Sequence, residues 1–324
     1  MFLQPFLDKF DYLRYKKKIV IGKRKYQWCT IPVPEGYPKQ SQTHPSILYC
    51  KQKWNNYTHW LATTPYPNAD IRYENPCIYK SNNPIDFTPI KNNPIVLCSG
   101  GEAFNSDPEL FLEQKKLYCI NRENNHHHLY DVQLLSTLDG DNWTKPISIY
   151  SSDDLHRQLL SPSYIKVENK HRIYFLNGDA GISKNGHCSG IEIIEGTNLD
   201  IPDFSFKQTG RFLNSKDLGV EPWHFDLFSF NGKLYMILCA RDTKKKTLRS
   251  PMNTYLAVSD DEINFIIFPK PIVNYLKSYR PSAYVDENGV LHLYFSIVGT
   301  FLKDGSDRNI GYTSMLFEDL LSDL

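Results

Sequence analysis

The chain lacks an excess of charge: Lys and Arg number 37 and Asp and Glu 36 over 324 residues, a formal net charge of +1. Without a basic field there is no general drive towards nucleic acid, and the short runs Lys16-Lys17-Lys18 and Lys244-Lys245-Lys246 read as solvated turns. No apolar run approaches the roughly 18 residues of a membrane span. The opening MFLQPFLDKFDYLRYKKK carries Asp8 and Asp11 and has no uninterrupted apolar stretch, so it does not read as a secretory signal and a cytoplasmic location is expected. No CxxC pair occurs among Cys29, Cys50, Cys77, Cys98, Cys119, Cys188 and Cys239, which points to reduced core thiols rather than disulfides or metal ligands. The sequence also has no GxGxxG, P-loop or GxSxG pattern, and no organic cofactor is expected. The run His126-His127-His128 cannot aim three successive side chains at one metal and reads as a rim loop, so no metal site is expected either.

Helical periodicity is scarce, with short pieces near 6–16, 152–160 and 315–323 the only segments that could wind. What the chain has is aromatic supply, with 21 Tyr, 18 Phe and 5 Trp, set in short alternating runs broken by Asn, Gly, Asp and Pro. HRIYFLNGD, GKLYMILCARD and GVLHLYFSIVG are representative, and they read as half-buried strands.

Two units recur. In the first, a polar residue precedes proline at the head of a strand: His44-Pro45, Asp107-Pro108, Ser161-Pro162, Glu221-Pro222 and Arg280-Pro281. These heads repeat about every sixty residues, and each is followed by an aromatic-rich strand such as Leu117-Tyr118-Cys119 or Leu293-Tyr294-Phe295. In the second, a polar turn leads to an aromatic, as in Asn83 to Phe87, Asp139 to Trp143 and Asp261 to Phe265. Five copies with roughly four strands each predict an all-β, single-domain, five-bladed β-propeller over residues 41–324. Residues 1–40 form an N-terminal extension expected to pack on the propeller or close it.

In such a fold the first strand of each blade lines the channel, so the heads gather at one end. That end is expected to hold His44, Asp107, Ser161, Glu221 or His224 and Asp226, and Arg280. Second strands add Tyr66, Arg122, Glu123, Asp179, Arg241 and Asp242, and third strands add Glu74, Tyr130 and Asn253. Carboxylates, imidazoles, guanidinium groups and aromatics in one mouth have the composition of a carbohydrate site. Plainer readings stand beside this one: Asp107 as a turn carboxylate, Glu74 as a loop-shaping acid, and Arg280 as a structural ion-pair partner.

The five heads, the turn STLDGDNW and the segment Trp223-His224-Phe225-Asp226 resemble the five-bladed propeller glycosidases of the family 43 type and their relatives. The resemblance is one of repeat architecture over about residues 40–315. It implies an Asp at the first head as general base, an Asp at the second that tunes and orients, and a Glu on a later blade as acid. Asp107 matches the second position, while His44 stands at the first and Ser161 at the third. Glu74, Glu221 or Asp226 can supply the missing carboxylates, and His224 or His44 can act as acid if a neighbouring carboxylate holds the imidazole protonated.

The expectation is therefore acid–base hydrolysis of a poly- or oligosaccharide by Asp107, Glu74, His224 and Asp226. His44, Arg280, Trp223, Glu221, Arg122 and Asp179 would bind the sugar. A structural Ca²⁺ in the channel is compatible with the resemblance. The alternatives are a non-catalytic glycan-binding propeller that has lost the base and a scaffold that binds proteins on its rim.

Overall fold

The computed structural model describes residues 26–101, 103–125, 129–152, 157–178, 188–243, 252–273, 278–298 and 308–324. Among them, five four-stranded antiparallel sheets form, four of them with their strands in chain order from the axis outwards. The first blade holds β2 (Gln42–Trp54), β3 (Tyr57–Pro65), β4 (Cys77–Ser81) and β5 (Thr88–Pro89). The second holds β6 (Phe104–Glu113), β7 (Lys116–Asn124), β8 (Tyr130–Thr137) and β9 (Ile147–Ser152). The third holds β10 (Leu160–Val167), β11 (Lys170–Gly178), β12 (Cys188–Gly196) and β13 (Ser205–Gly210). The fourth holds β14 (Val220–Phe230), β15 (Lys233–Asp242), β16 (Met252–Ser259) and β17 (Ile266–Ile267). In the fifth, β18 (Ser278–Val285), β19 (Val290–Val298) and β20 (Arg308–Leu316) are joined by β1 (Gln27–Trp28). The β1 strand pairs with β20, so a segment from before the first blade supplies the outer strand of the last.

The inner strands neighbour one another in the closed cycle β2–β6–β10–β14–β18–β2. Period-two alternation places apolar side chains on both faces of each sheet, and each face packs against the next blade. The result is five apolar clusters, one per inter-blade gap, with Trp60, Tyr174, Phe225, Tyr294 and Phe295 among the fully buried residues. Cys29, Cys50, Cys77, Cys119 and Cys239 are free thiols within this packing, and Cys98 is half-buried and also free.

A second set of bonds joins the blades near the axis. Each inner strand donates one backbone N–H to a side-chain oxygen of the preceding inner strand. Leu110 donates to Ser46 Oγ, Tyr164 to Glu109 Oε1, Leu227 to Ser163 Oγ, Ala283 to Asp226 Oδ2 and Ile47 to Ser282 Oγ, over 2.9–3.2 Å. The ring is cyclic. It also defines the phase of the repeat, because the acceptor stands two residues after the head in every blade.

By that phase the fourth head is His224, two residues before Asp226, and not Glu221-Pro222 as the proline repeat suggests. The inner strand β14 begins early, at Val220, and a bulge between Pro222 and His224 separates the proline from the position that faces the axis. The other four heads keep their expected places, each beside a register shift in its inner strand. His44, Asp107 and Ser161 adopt φ of 50°, 54° and 52°. Non-glycine residues in this left-handed region cost on the order of 1–3 kcal/mol each, and such strain concentrates at sites that must aim a side chain.

The second repeat unit is a turn with one mechanism used three times. Asn83 Oδ1 accepts N–H bonds from Ile85 and Asp86, Asp139 Oδ1 from Asp141 and Asn142, and Asp261 Oδ1 from Ile263 and Asn264. In the Asp139 turn, Gly140 has φ +84° and its Cα lies against the buried ring of Trp60. Gly140→Ala is expected to lower the free energy of unfolding in urea by about 2–4 kcal/mol, from left-handed strain plus overpacking. Gly232→Ala, at φ +75° with open space around it, isolates the strain and is expected to cost about 1 kcal/mol. Equal losses in the two variants would remove the packing contribution.

The C-terminal helix Phe317–Asp323 falls on the expected helical tail, and Phe317 packs edge-on against Phe228, Phe230 and Tyr235. The expected helix at 152–160 does not form at its described ends, since Ser152 closes β9 and Leu160 opens β10. The segments 6–16, Lys16–Lys18, His126–His128 and Lys244–Lys246 lie outside the described residues. Among the described residues, no helix is long and apolar enough to cross a membrane.

Candidate active site

The heads converge at one end of the axis. Asp107, from the second blade, is fully buried and central. Its Oδ1 lies 3.7 Å from His44 Nε2, 3.5 Å from His224 Nδ1 and 3.5 Å from Arg280 Nη1. Its Oδ2 accepts the Ser161 N–H at 3.3 Å and lies 3.4 Å from Arg122 Nη2. All five blades therefore meet at one carboxylate.

Each neighbour is held by a second contact. His44 Nδ1 is 2.7 Å from Thr64 Oγ1 and 3.4 Å from Glu74 Oε1, which sets Glu74 and Asp107 on opposite nitrogens of one imidazole. His224 Nδ1 is 2.6 Å from Ser161 Oγ. Arg122 donates to Ser106 Oγ and the Gln158 carbonyl, and its guanidinium stacks over Tyr130. Glu74 follows a short 3₁₀ turn at Ile71–Tyr73, and its carbonyl accepts the Asn105 N–H, which pins the loop to the start of β6. Tyr279, next to the Arg280 head, packs its ring against both imidazoles and accepts a bond from Trp223 Nε1.

The electrostatics correct one expectation. Burial pushes His224 down to about 3 and holds His44 well below the ordinary range, outweighing the attraction of Asp107. Arg280 and Arg122 push both imidazoles further the same way. Neither histidine is held protonated, so neither is a ready acid near neutrality. Burial alone would raise Asp107, but the imidazoles and the two guanidinium groups beside it outweigh burial and keep the carboxyl ionised. With neutral imidazoles, the arginines are what remains of that field. Glu74 moves the other way: burial first, then the Asp107 charge, raise it to about 8. Two acids one imidazole apart are thus driven in opposite directions.

Of the other expected site residues, Asp226 faces the axis one layer below the heads. Its carboxylate accepts Ser163 Oγ and Ser282 Oγ and the N–H groups of Leu227 and Ala283, which makes it a clasp between blades. Arg280 is fully buried and bridges Asp107 above to Glu109 below, so it acts on the site through carboxylates. Trp223 and Arg241 stack at the rim, with Glu221 Oε2 3.7 Å from Arg241. Arg308 lies over the Tyr66 ring, between the neighbouring fifth and first blades. Asp179 lies outside the described residues.

Three contributors escaped the sequence reading. Glu109 stands two residues after Asp107, at the spacing that relates Asp226 to His224, and a period-two count from each head would have found it. Burial and the neighbouring Asp226 raise Glu109 well above the carboxylate range. Tyr279 and Thr64 carry no pattern of their own and are recruited only by the fold.

No protein-family model matches the chain, and no curated protein matches it. Solved structures do resemble it. An N-acetylgalactosamine deacetylase from F. plautii, in complex with blood group B trisaccharide, superposes with a TM-score of 0.73 at 17% identity over 90% of this chain and 94% of that one. A thermostable family-43 glycoside hydrolase gives 0.60 at 15% identity over 90% and 94%. The GH43_1 enzyme from Xanthomonas citri complexed with xylose gives 0.63 at 10% identity over 94% and 92%. At these identities the likeness establishes the fold: this chain has the five-bladed propeller of those enzymes.

Proposed function

We propose that the chain is a hydrolase acting on a saccharide at the head cluster. The observation that carries this reading is the meeting of Asp107, Glu74, His44 and His224 at one end of the axis, on the fold that the sugar-processing enzymes above share. Asp107, ionised beside the imidazole nitrogens, is the acceptor for the proton that a water placed among them gives up as it attacks. Glu74, on the opposite edge of His44, gives its proton to the departing oxygen or nitrogen. Trp223 and Tyr66 supply aromatic faces for sugar rings, and Arg241 and Glu221 supply hydroxyl contacts.

The leading target is a glycosidic bond. The deacetylase superposition favours a second target, the amide of an acetamido sugar. A panel of oligosaccharides with and without acetamido groups, read for new reducing ends and for acetate, separates the two. Loss of product formation in Glu74→Gln supports the reading, and saccharide binding with no product in wild type replaces it with a non-catalytic glycan-binding propeller. Trp223→Ala is expected to raise KM about tenfold with kcat little changed, in steady-state assays on the best substrate.

A further inference from the structure

We infer that His44, Asp107 and His224 form a binding site for one divalent cation of the zinc class. One ligand atom from each residue lies within 4.8 Å of the others, and all three side chains are buried. His44 Nε2, His224 Nε2 and Asp107 Oδ1 each lack a hydrogen-bond partner in the described structure. Buried polar atoms are seldom left unmatched, and these three are of ligand type, with the equally unmatched Arg280 Nη1 3.5 Å from Asp107 Oδ1.

The second contacts fit the same assignment. An imidazole that binds a metal through one nitrogen offers the other to an oxygen, which fixes its tautomer. His44 presents Nδ1 to Thr64 Oγ1 and Glu74 Oε1, and His224 presents Nδ1 to Ser161 Oγ. Both rings leave Nε2 unmatched, and His224 also brings Nδ1 within 3.5 Å of Asp107 Oδ1, so either of its nitrogens can face the ion. Metal bonds of about 2.0–2.2 Å would draw the three donors inward from their present spacing.

Donor type selects the ion. Two imidazoles and one carboxylate suit Zn²⁺ and its first-row neighbours, whereas Ca²⁺ and Mg²⁺ require oxygen donors. A structural Ca²⁺, the ion compatible with the family resemblance, is the wrong class for this cluster. A bound Zn²⁺ would acidify a water at this position. The inference deepens the hydrolase reading and rests on it for its chemistry, but metal binding can be measured with no substrate present.

The test is calorimetric titration of ZnCl₂ into the full chain after chelator treatment. One equivalent is expected to bind with sub-micromolar affinity and to raise the melting temperature. His44→Gln and His224→Gln are each expected to weaken binding at least about 100-fold, while His59→Gln, which alters a buried imidazole elsewhere in the first blade, leaves it unchanged. Co²⁺ bound to the wild-type chain should show visible bands without a thiolate charge-transfer band, a readout independent of any variant. Absence of Zn²⁺ uptake, equal uptake by the His44 and His224 variants, a thiolate band from Co²⁺, or tighter binding of Ca²⁺ than of Zn²⁺ would overturn the assignment. Zn²⁺ binding in a chain that cleaves no saccharide would leave the site standing and remove the hydrolase reading.

Discussion

Asp107→Asn is expected to lower kcat by about 10³-fold or more while KM changes little. The substitution keeps shape and hydrogen-bonding capacity but removes the one ionised group that all five blades surround. It would act on the proton drawn from the attacking water, an interaction made in the transition state and not in substrate binding. Asparagine also leaves Arg122 and Arg280 facing a neutral group, so circular dichroism and urea unfolding must accompany the kinetics to show that the folded fraction is unchanged. A folded variant with less than a tenfold loss would take Asp107 out of the chemistry and return it to its plainer reading as a turn carboxylate.

Asp226→Ala is expected to cost about 3–5 kcal/mol of stability with no change in the identity of any head residue. Its carboxylate accepts two hydroxyl donors and the N–H of Ala283, and the last of these is the link from the fourth blade to the fifth. Alanine leaves those donors buried and unmatched, and each such group costs about 1–3 kcal/mol. Ser282 and Ser163 can turn their hydroxyls elsewhere, which limits the total, but the Ala283 N–H cannot. Urea unfolding measures the loss, and a cost under about 1 kcal/mol would show that apolar packing between blades suffices without the ring. Asp226→Asn retains one acceptor and is expected to fall between alanine and wild type.

Much of the architecture was legible because a propeller writes the same local chemistry five times. Proline opens four heads in phase, since it tolerates the start of an inner strand but not its centre. Asx turns before aromatics mark outer hairpins, since an Asp or Asn side chain can satisfy two successive N–H groups on its own. The fourth blade misled for a local reason: Glu221-Pro222 has the proline but sits ahead of a bulge, and the residue that reaches the axis is His224. A regular spacing of X-Pro pairs could not reveal that bulge, because a bulge changes register without changing composition.

The site was legible as a set of residues and not as a set of roles. Asp107, His44 and His224 were recognisable as chemistry-bearing side chains on axis-facing positions, whereas Glu74, expected on a third strand, stands in the loop before β4. Asp226 looked equally catalytic, yet its one-layer offset from His224 turns it into a clasp. The imidazoles looked protonatable beside carboxylates, and burial reverses this.

The primary sequence alone determined the repeat, and through it the number of blades and the residues that point inwards, because strand alternation and turn chemistry act over a few residues. Tertiary structure alone decided which of those residues touch, which carboxylate is ionised and which lone pairs converge. Distances, desolvation and charge balance are properties of five strands brought around one axis, and no single strand contains them.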